Sequence, residues 1–222
     1  WRIRPDLRLR ATAGRTYRTP DLDELYLQTE SLRGDPDLRP ETAWSADLGA
    51  EWRREHASAA LTLFGRRVAG EILFLPVSAY LVQAMNIAGS RALGAEARAS
   101  ARLFGRLETE LSYALVDARF VETAVAVPLQ PQHQGFARAA LELGRALRIV
   151  AELDARSAIF LDTFGNQRAR GAAFLDAGIV GGRELVWSVF VRNLFDDRGA
   201  VDALQQPIPG RTLWASITLG GL

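Results

Sequence analysis

Trp44-Ser45-Ala46-Asp47-Leu48-Gly49-Ala50-Glu51-Trp52 decides the fold. Successive side chains of an extended strand point to opposite faces, so Trp44, Ala46, Leu48, Ala50 and Trp52 share one face while Asp47 and Glu51 share the other. The same split returns in Leu7 to Arg10, Ala97 to Leu103, Leu147 to Leu153 and Leu185 to Arg192, with Val150, Val186 and Phe190 falling on the charged side. Alternation alone also suits a soluble sandwich whose apolar face meets a core. Length tips the balance: a membrane-spanning strand needs about 9 to 11 residues against roughly 5 or 6 for an ordinary one. Thr42 to Trp52, Arg106 to Phe120 and Arg183 to Asn193 reach that length, so the expected fold is all-β, an antiparallel transmembrane β-barrel wall.

Composition decides less. The chain is 48% hydrophobic, as a globular protein or a barrel with a polar lumen would be. It has no cysteine, which excludes disulfides and thiol chemistry. All 27 basic residues are arginine, and a net charge of +1 gives no support for a nucleic-acid surface.

Strands are expected near 3–14, 42–53, 57–67, 69–76, 78–87, 93–104, 106–120, 136–144, 146–158, 171–180, 183–193 and 211–219, all in one sheet-rich unit. The widest connections are 15–41, 121–135 and 194–210, rich in Pro, Gly, Asp or Gln. Arg138 to Leu153 also has helix-forming composition, but Gly144 interrupts it and both halves alternate, which favours strands.

The ordered motifs carry a resemblance. Tyr17-Arg18-Thr19-Pro20-Asp21-Leu22-Asp23-Glu24-Leu25-Tyr26 resembles the arginine-x-proline and glutamate-leucine-tyrosine element of TonB-dependent outer-membrane receptors. Gly34-Asp35-Pro36-Asp37-Leu38-Arg39-Pro40-Glu41 is similar to the family's glycine-asparagine-proline-x-leucine-x-proline-glutamate turn, and Asn86 through Gly94-Ala95-Glu96 to its asparagine-to-glycine-x-glutamate hairpin. Val191-Arg192-Asn193-Leu194-Phe195-Asp196-Asp197, followed by Pro209-Gly210-Arg211-Thr212, resembles its closing elements.

The resemblance implies that residues 1–222 are the carboxy-terminal part of the barrel, about 10 to 12 strands of about 22, with the plug domain not represented. It implies an integral protein of the bacterial outer membrane, in contact with lipid or lipopolysaccharide. The expected partners are the remaining barrel half and a plug, on another chain or a missing segment, coupled through a TonB box to an inner-membrane motor. The implied cargo is a scarce ligand such as an iron-siderophore or cobalamin. The alternative is a receptor-like barrel acting as a scaffold in a larger envelope complex. The family usually ends on an aromatic residue recognised during assembly, and Leu222 stands there instead.

The matched residues read as turn chemistry. Pro20, Pro36, Pro40 and Pro209 fix φ and remove backbone donors, while Gly34, Gly94 and Gly210 are expected to adopt backbone geometries closed to other residues. Asn193 and Asp196 are expected to bond nearby amides, with Leu194 and Phe195 seating that hairpin near the periplasmic rim. The ten positions Leu48, Ala50, Leu61, Leu63, Leu111, Leu115, Val189, Val191, Leu213 and Ile217 are expected to face lipid. Arg98, Arg102, Glu108, Glu110, Glu152 and Arg192 lead the charges expected to face lumen or plug, with Arg8, Arg10, Glu142, Arg148, Asp154, Arg156 and Glu184. Trp44, Trp52, Trp187, Trp214, Tyr80 and Tyr113 are candidates for interfacial girdles, with Trp214 placed inward or at the rim by its Thr212 and Ser216 neighbours.

No catalytic, cofactor or metal constellation is apparent. His56 and His133 lack ligand-spaced partners, and Asp162-Thr163-Phe164-Gly165-Asn166 reads as a turn rather than a calcium loop. No phosphate-binding glycine loop or nucleophile elbow is present, so the chain is not expected to be an enzyme.

Overall fold

A computed structural model describes residues 1–201 and 206–219. In chain order these form β1 (Arg2–Arg4), β2 (Leu7–Arg18), α1 (Leu22–Tyr26), β3 (Leu32–Arg33), β4 (Glu41–Arg54), β5 (Ala57–Ala69), β6 (Ile72–Pro76), β7 (Val82–Asn86), β8 (Ser90–Leu103) and β9 (Leu107–Phe120). There follow β10 (His133–Glu142), β11 (Leu147–Arg156), β12 (Ile159–Phe160), β13 (Arg168–Ala169), β14 (Ala172–Gly181), β15 (Leu185–Arg192) and β16 (Thr212–Leu219).

Eleven strands make one antiparallel sheet in the order β1-β2-β4-β5-β8-β9-β10-β11-β14-β15-β16. Every wall strand therefore pairs with the next wall strand along the chain, the meander of an up-and-down barrel. Among the described residues, β1 and β16 are free edges. Leu222 lies outside the described residues.

The two ends of the sheet differ. At one end the strands are joined by the short turns 5–6, 55–56, 104–106, 143–146 and 182–184, and at the other by 19–40, 70–89, 121–132, 157–171 and 193–211. Outer-membrane barrels place short turns in the periplasm and long loops outside. The hairpin that starts at Asn193 therefore sits at the long-loop rim, not near the periplasmic rim as expected from sequence.

Two expected wall strands are not in the wall. Residues 69–76 and 78–87 give β6 and β7, which form a separate three-stranded sheet with β3 inside the long-loop end. Their alternation is that of a real hairpin whose partner is β3. Tyr80 therefore stands at a loop tip, 86% exposed, and not in a girdle on the wall. The connection 157–171 is also longer than expected, and Glu184 lies in a turn. Arg183 to Asn193 contributes the eight-residue β15, shorter than its alternation suggested.

Register settles the faces. Paired residues of an antiparallel ladder share a face, so Leu48, Leu63, Ala95 and Leu115 lie together through β4, β5, β8 and β9. Followed to the end of the sheet, that face holds Leu153, Leu175, Ile179, Val189, Val191, Leu213 and Ile217. All ten positions expected to meet lipid are on it. Leu93, Leu213 and Ile217 are 64%, 72% and 73% exposed, so the apolar face has no protein layer over it. Trp44 and Trp52 bound it on β4. Eight residues at about 3.4 Å each, tilted by about 40°, separate them by about 21 Å along the membrane normal, close to an apolar band of about 25 Å. Trp187 lies on the same face near a short turn, whereas Trp214 is on the opposite face, where the Arg192 guanidinium stacks 4.7 Å from its ring centre.

The strands are sheared. From Arg54 at a short-turn tip, the row of paired residues runs Ala57, Ala101, Thr109, Ala139, Ala151, Ala177 and Val191, ending beside the long-loop tip of β15. A row thus climbs toward the long loops by roughly one residue per strand, the stagger that closing a barrel requires.

Gly94 departs from its expected turn role. It lies inside β8, and its φ is not in the left-handed region. A Cβ there would fall 2.3 Å from the Phe64 ring and 2.5 Å from the Leu115 carbonyl oxygen, so glycine makes room for an aromatic ring on the charged face. Gly94→Ala is expected to cost about 1 to 3 kcal/mol in urea unfolding followed by tryptophan fluorescence. Adding Phe64→Ala should recover only part, because the carbonyl stays in place. Unchanged stability would remove the packing role.

Candidate functional site

The concave face carries the charge. Arg8, Arg10, Asp47, Glu51, Glu96 and Arg98 surround a shallow cleft over β2, β4, β5 and β8, floored by Gly49, Ala60 and Thr62. Register places Arg98, Arg102, Glu108, Glu110, Glu152 and Arg192 together on this face, opposite Leu48 and Leu63. Many of these charges are satisfied within the wall. The row Glu110, Arg138, Glu152, Asp176 crosses β9, β10, β11 and β14. Arg138 lies 3.8 Å from Glu110 and 3.0 Å from Glu152, and Arg192 closes on Asp176 at 4.0 Å. Arg102 reaches Glu142 at 3.0 Å and Glu108 at 4.0 Å, and Arg98 pairs with Glu96 at 3.6 Å. Arg138 and Asp176 are missing from the sequence expectation, although the alternation of Phe136-Ala137-Arg138-Ala139 and Phe174-Leu175-Asp176-Ala177 carries the signal.

At the long-loop rim the dispersed motifs converge into two knots. In the first, the Arg18 guanidinium donates to both carboxylate oxygens of Glu24 (2.8 and 3.1 Å) and both of Glu41 (2.7 and 3.1 Å). Such fork pairing suits the planar guanidinium and is stronger than neutral bonding. Glu24 also accepts the Asp21 N–H, which starts α1, and Glu41 accepts the Ile72 N–H, which anchors β6. Asn86 accepts the Arg39 N–H and donates to the carbonyls of Arg39 and Gly70, tying the turn before Pro40 to the exit of β5. Pro20 and Pro36 lie within the connection bound by this knot, and Tyr26 closes α1 with its ring exposed. Burial alone would raise the Glu24 carboxyl, but Arg18 and the Asp21 amide outweigh it and hold it below the usual carboxylate range.

The second knot centres on Asn193, which is buried, with φ 51°. Its N–H donates to Asp176, its amide donates to the carbonyls of Asp197 and Pro209, and its side-chain oxygen accepts the Asp197 N–H. Asp196 accepts from Arg198 and from the Arg211 N–H, and both donors keep its carboxyl low. Gly34 and Gly210 serve these knots by close approach and not by an unusual φ: an added Cβ would meet the Leu25 backbone at 2.7 Å or Asp196 Oδ1 at 2.5 Å. Phe195 does not seat the hairpin as expected, being 72% exposed. Asp162 gathers the amides of Phe164, Asn166 and Gln167, the turn chemistry expected of it.

His133 opens β10 and its Nδ1 meets the Tyr113 hydroxyl at 2.6 Å. Among the described residues no cluster of His, Cys, Asp and Glu is arranged to hold a metal ion. What the arrangement offers is a charged concave wall, fixed at its rim by ion pairs and amide bonds.

The model of the TonB-dependent receptor-like β-barrel family matches residues 1–194. No curated protein sequence matches the chain. Among solved structures, the copper transporter OprC is similar at TM-score 0.81 and 20% identity over 96% of this chain and 37% of its own. A ferric enterobactin receptor from Pseudomonas aeruginosa is similar at TM-score 0.81 and 20% identity, over 99% and 39%. The ferric yersiniabactin uptake receptor FyuA from Yersinia pestis is similar at TM-score 0.73 and 17% identity, over 96% and 35%. The chain thus spans less than two-fifths of the length of the receptors it matches.

Arg18→Gln would leave two half-covered carboxylates facing each other. The expected local cost, discounted for partial exposure, is about 1 to 3 kcal/mol, read as faster tryptic cutting after Arg33, in the connection that the knot holds. Acid should loosen the same knot. Because the Glu24 carboxyl is lowered in the folded state, its contribution is present above its ordinary value of 4.5 and is lost as pH falls through the lowered one. Hydrogen-exchange protection of 21–27 that does not change on acidification below that value would contradict this.

Proposed function

The chain belongs to the TonB-dependent receptor-like β-barrel family, and from that premise we propose that it forms the carboxy-terminal part of the wall of an outer-membrane receptor importing a scarce ligand. The family is one of integral outer-membrane proteins, and the role is transport, not catalysis. The proposed ligand is a metal complex of the iron-siderophore or cobalamin kind. Another barrel segment completes the wall at the free edges of β1 and β16, because unpaired backbone groups in hydrocarbon cost several kcal/mol each. A plug carried by a further segment takes energy from the inner-membrane motor through its TonB box.

The observation that carries this reading is the pairing of one face that carries no charge except near its two ends with a charged concave face, capped at one end only by long, internally braced loops. In this division of labour the wall holds its own charges in ion pairs while the loops and plug apices grip cargo. The same self-pairing, in Arg138 with Glu110 and Glu152, is what a second reading would use: a barrel retained as a scaffold in an envelope assembly without transport.

Binding and uptake measured in parallel on the complete receptor separate the two. Substitutions in 70–89 or 157–171 are expected to weaken binding, whereas deleting the TonB box should abolish uptake and leave binding intact. Uptake unaffected by collapse of the inner-membrane gradient would reject energy coupling. Neither binding nor uptake of iron chelates and cobalamin would favour the scaffold.

A further inference from the structure

The short turns of the wall carry charge unevenly. On the β2 to β5 side they are acidic: Asp6 is held by Arg54 at 3.3 Å, and Glu55 lies 3.7 Å from His56. The next three turns, which join β8 to β9, β10 to β11 and β14 to β15, carry Arg106, Arg145 and Arg183. All three arginines are exposed, and none forms an ion pair among the described residues. The acids nearest them in sequence are mostly engaged elsewhere, since Arg102 binds Glu142 at 3.0 Å and Glu108 at 4.0 Å. Glu184 alone offsets part of the charge. Backbone bonds tie the three turns to one another: the Arg106 carbonyl accepts the Glu142 N–H, and the Ala146 carbonyl accepts the Gly182 N–H, both at 2.9 Å. Successive tips stand two strands apart, about 10 Å at the spacing of paired strands.

Phe104 stands among them against local preference. The turn is closed by the Arg106 N–H on the Leu103 carbonyl at 3.1 Å, with φ 52° at Phe104 and 67° at Gly105. Two left-handed residues in succession make the hairpin geometry that Asn-Gly fills best and that a bulky side chain enters at a cost. The ring gains no packing in return, being 94% exposed. Nor does it reach the hydrocarbon. Trp52 and Trp187 mark the lower edge of the apolar band, where amphipathic rings sit at headgroup level. With the climb of the rows taken into account, the three tips extend past that level by roughly two to four residues, or 5 to 10 Å, against a headgroup layer about 5 to 7 Å deep. Three free guanidiniums and a bare ring therefore meet the water layer under the membrane.

We propose that the turns 104–106, 143–146 and 182–184 form a docking surface for a carboxylate-bearing glycan polymer, the chemistry of the peptidoglycan beneath the outer membrane. The proposal rests on the reading of the chain as an outer-membrane wall with its short turns in the periplasm. Arg106, Arg145 and Arg183 pair with the carboxylates of successive peptide stems, to which planar guanidinium forks are matched, and Phe104 lies against the C–H face of a sugar ring. The spacing selects a polymer. A small free anion needs cations that converge, whereas these are held apart by the backbone bonds between their turns and suit anions repeated along a chain. The uneven charge argues against lipid headgroups, which lie under every turn, because Asp6 and Glu55 occupy the neighbouring tips. Docked in this way, the wall resists the inward pull that the motor exerts through the plug.

The test is co-sedimentation of the complete receptor, in zwitterionic nanodiscs, with purified peptidoglycan sacculi. The combined Arg106→Gln, Arg145→Gln and Arg183→Gln variant is expected to be retained about tenfold less, and the corresponding Lys variant to keep most of the binding. Sacculi with methyl-esterified carboxylates should hold the unmutated receptor no better than intact sacculi hold the Gln variant. Phe104→Asn is expected to weaken retention severalfold while thermal stability is unchanged or raised, because Asn-Gly suits this turn, so its loss of binding is not a loss of folding. Equal retention of the Gln variant, or by esterified sacculi, overturns the docking surface, and unchanged retention of Phe104→Asn overturns the sugar-ring contact. Complete competition by vesicles containing phosphatidylglycerol would make the tips a headgroup site and overturn the glycan assignment. Labelling of Arg145→Cys by a membrane-impermeant maleimide in intact cells, before the outer membrane is permeabilised, would instead overturn the orientation on which the proposal stands.

Discussion

A sheet immersed in hydrocarbon must pair every backbone N–H and C=O and show lipid only apolar side chains. The rest of this chain depends on that double requirement. Long strands joined in sequence order meet the first half, and strict alternation meets the second. The two halves reinforce each other, because a one-residue slip in any ladder would turn a whole strand inside out. From Leu9 paired with Ala50 to Val191 paired with Leu213, no such slip occurs in the wall.

The charged face follows from the same geometry. Cross-strand neighbours stand about 5 Å apart, so alternating carboxylates and guanidiniums on adjacent strands become ion pairs without help from other layers. Glu110, Arg138 and Glu152 are the clearest case. Such pairs are partly solvated and individually weak. Their value is to keep the lumen wet and the register unique. The rim faces a different problem, since long connections must be held against the wall without a core of their own. Arg18 and Asn193 solve it by each binding several partners from distant parts of the chain.

Much of the wall was legible because period-two alternation is a local property of sequence. The strands around Trp44 to Trp52, Leu111 to Leu115 and Val189 to Val191, and the face each residue takes, required no knowledge of partners. Partner choice is not local. Ile72 to Pro76 and Val82 to Asn86 alternate as well as any wall strand, yet they pair with each other and with Leu32–Arg33. Gly94 looked like punctuation because its close contacts, Phe64 and Leu115, belong to neighbouring strands. The rim knots were visible as motifs but not as contacts: nothing in the spacing says that Arg18 meets Glu24 and Glu41, or that Asn86 meets the backbone of Arg39 and Gly70. The side of the membrane on which Asn193 lies became clear only when the lengths of all the connections could be compared.

The central claim is that one face of this sheet meets lipid and the other lines a lumen. Nitroxide labels placed singly at Leu48, Leu63, Leu111, Val189 and Ile217, and at Asp47, Glu110 and Arg192, in the complete receptor in lipid bilayers test it most directly. The account predicts that oxygen, concentrated in the bilayer, relaxes the first group, and that a water-soluble nickel chelate relaxes the second. The reverse pattern, or water access at both sets, would contradict it.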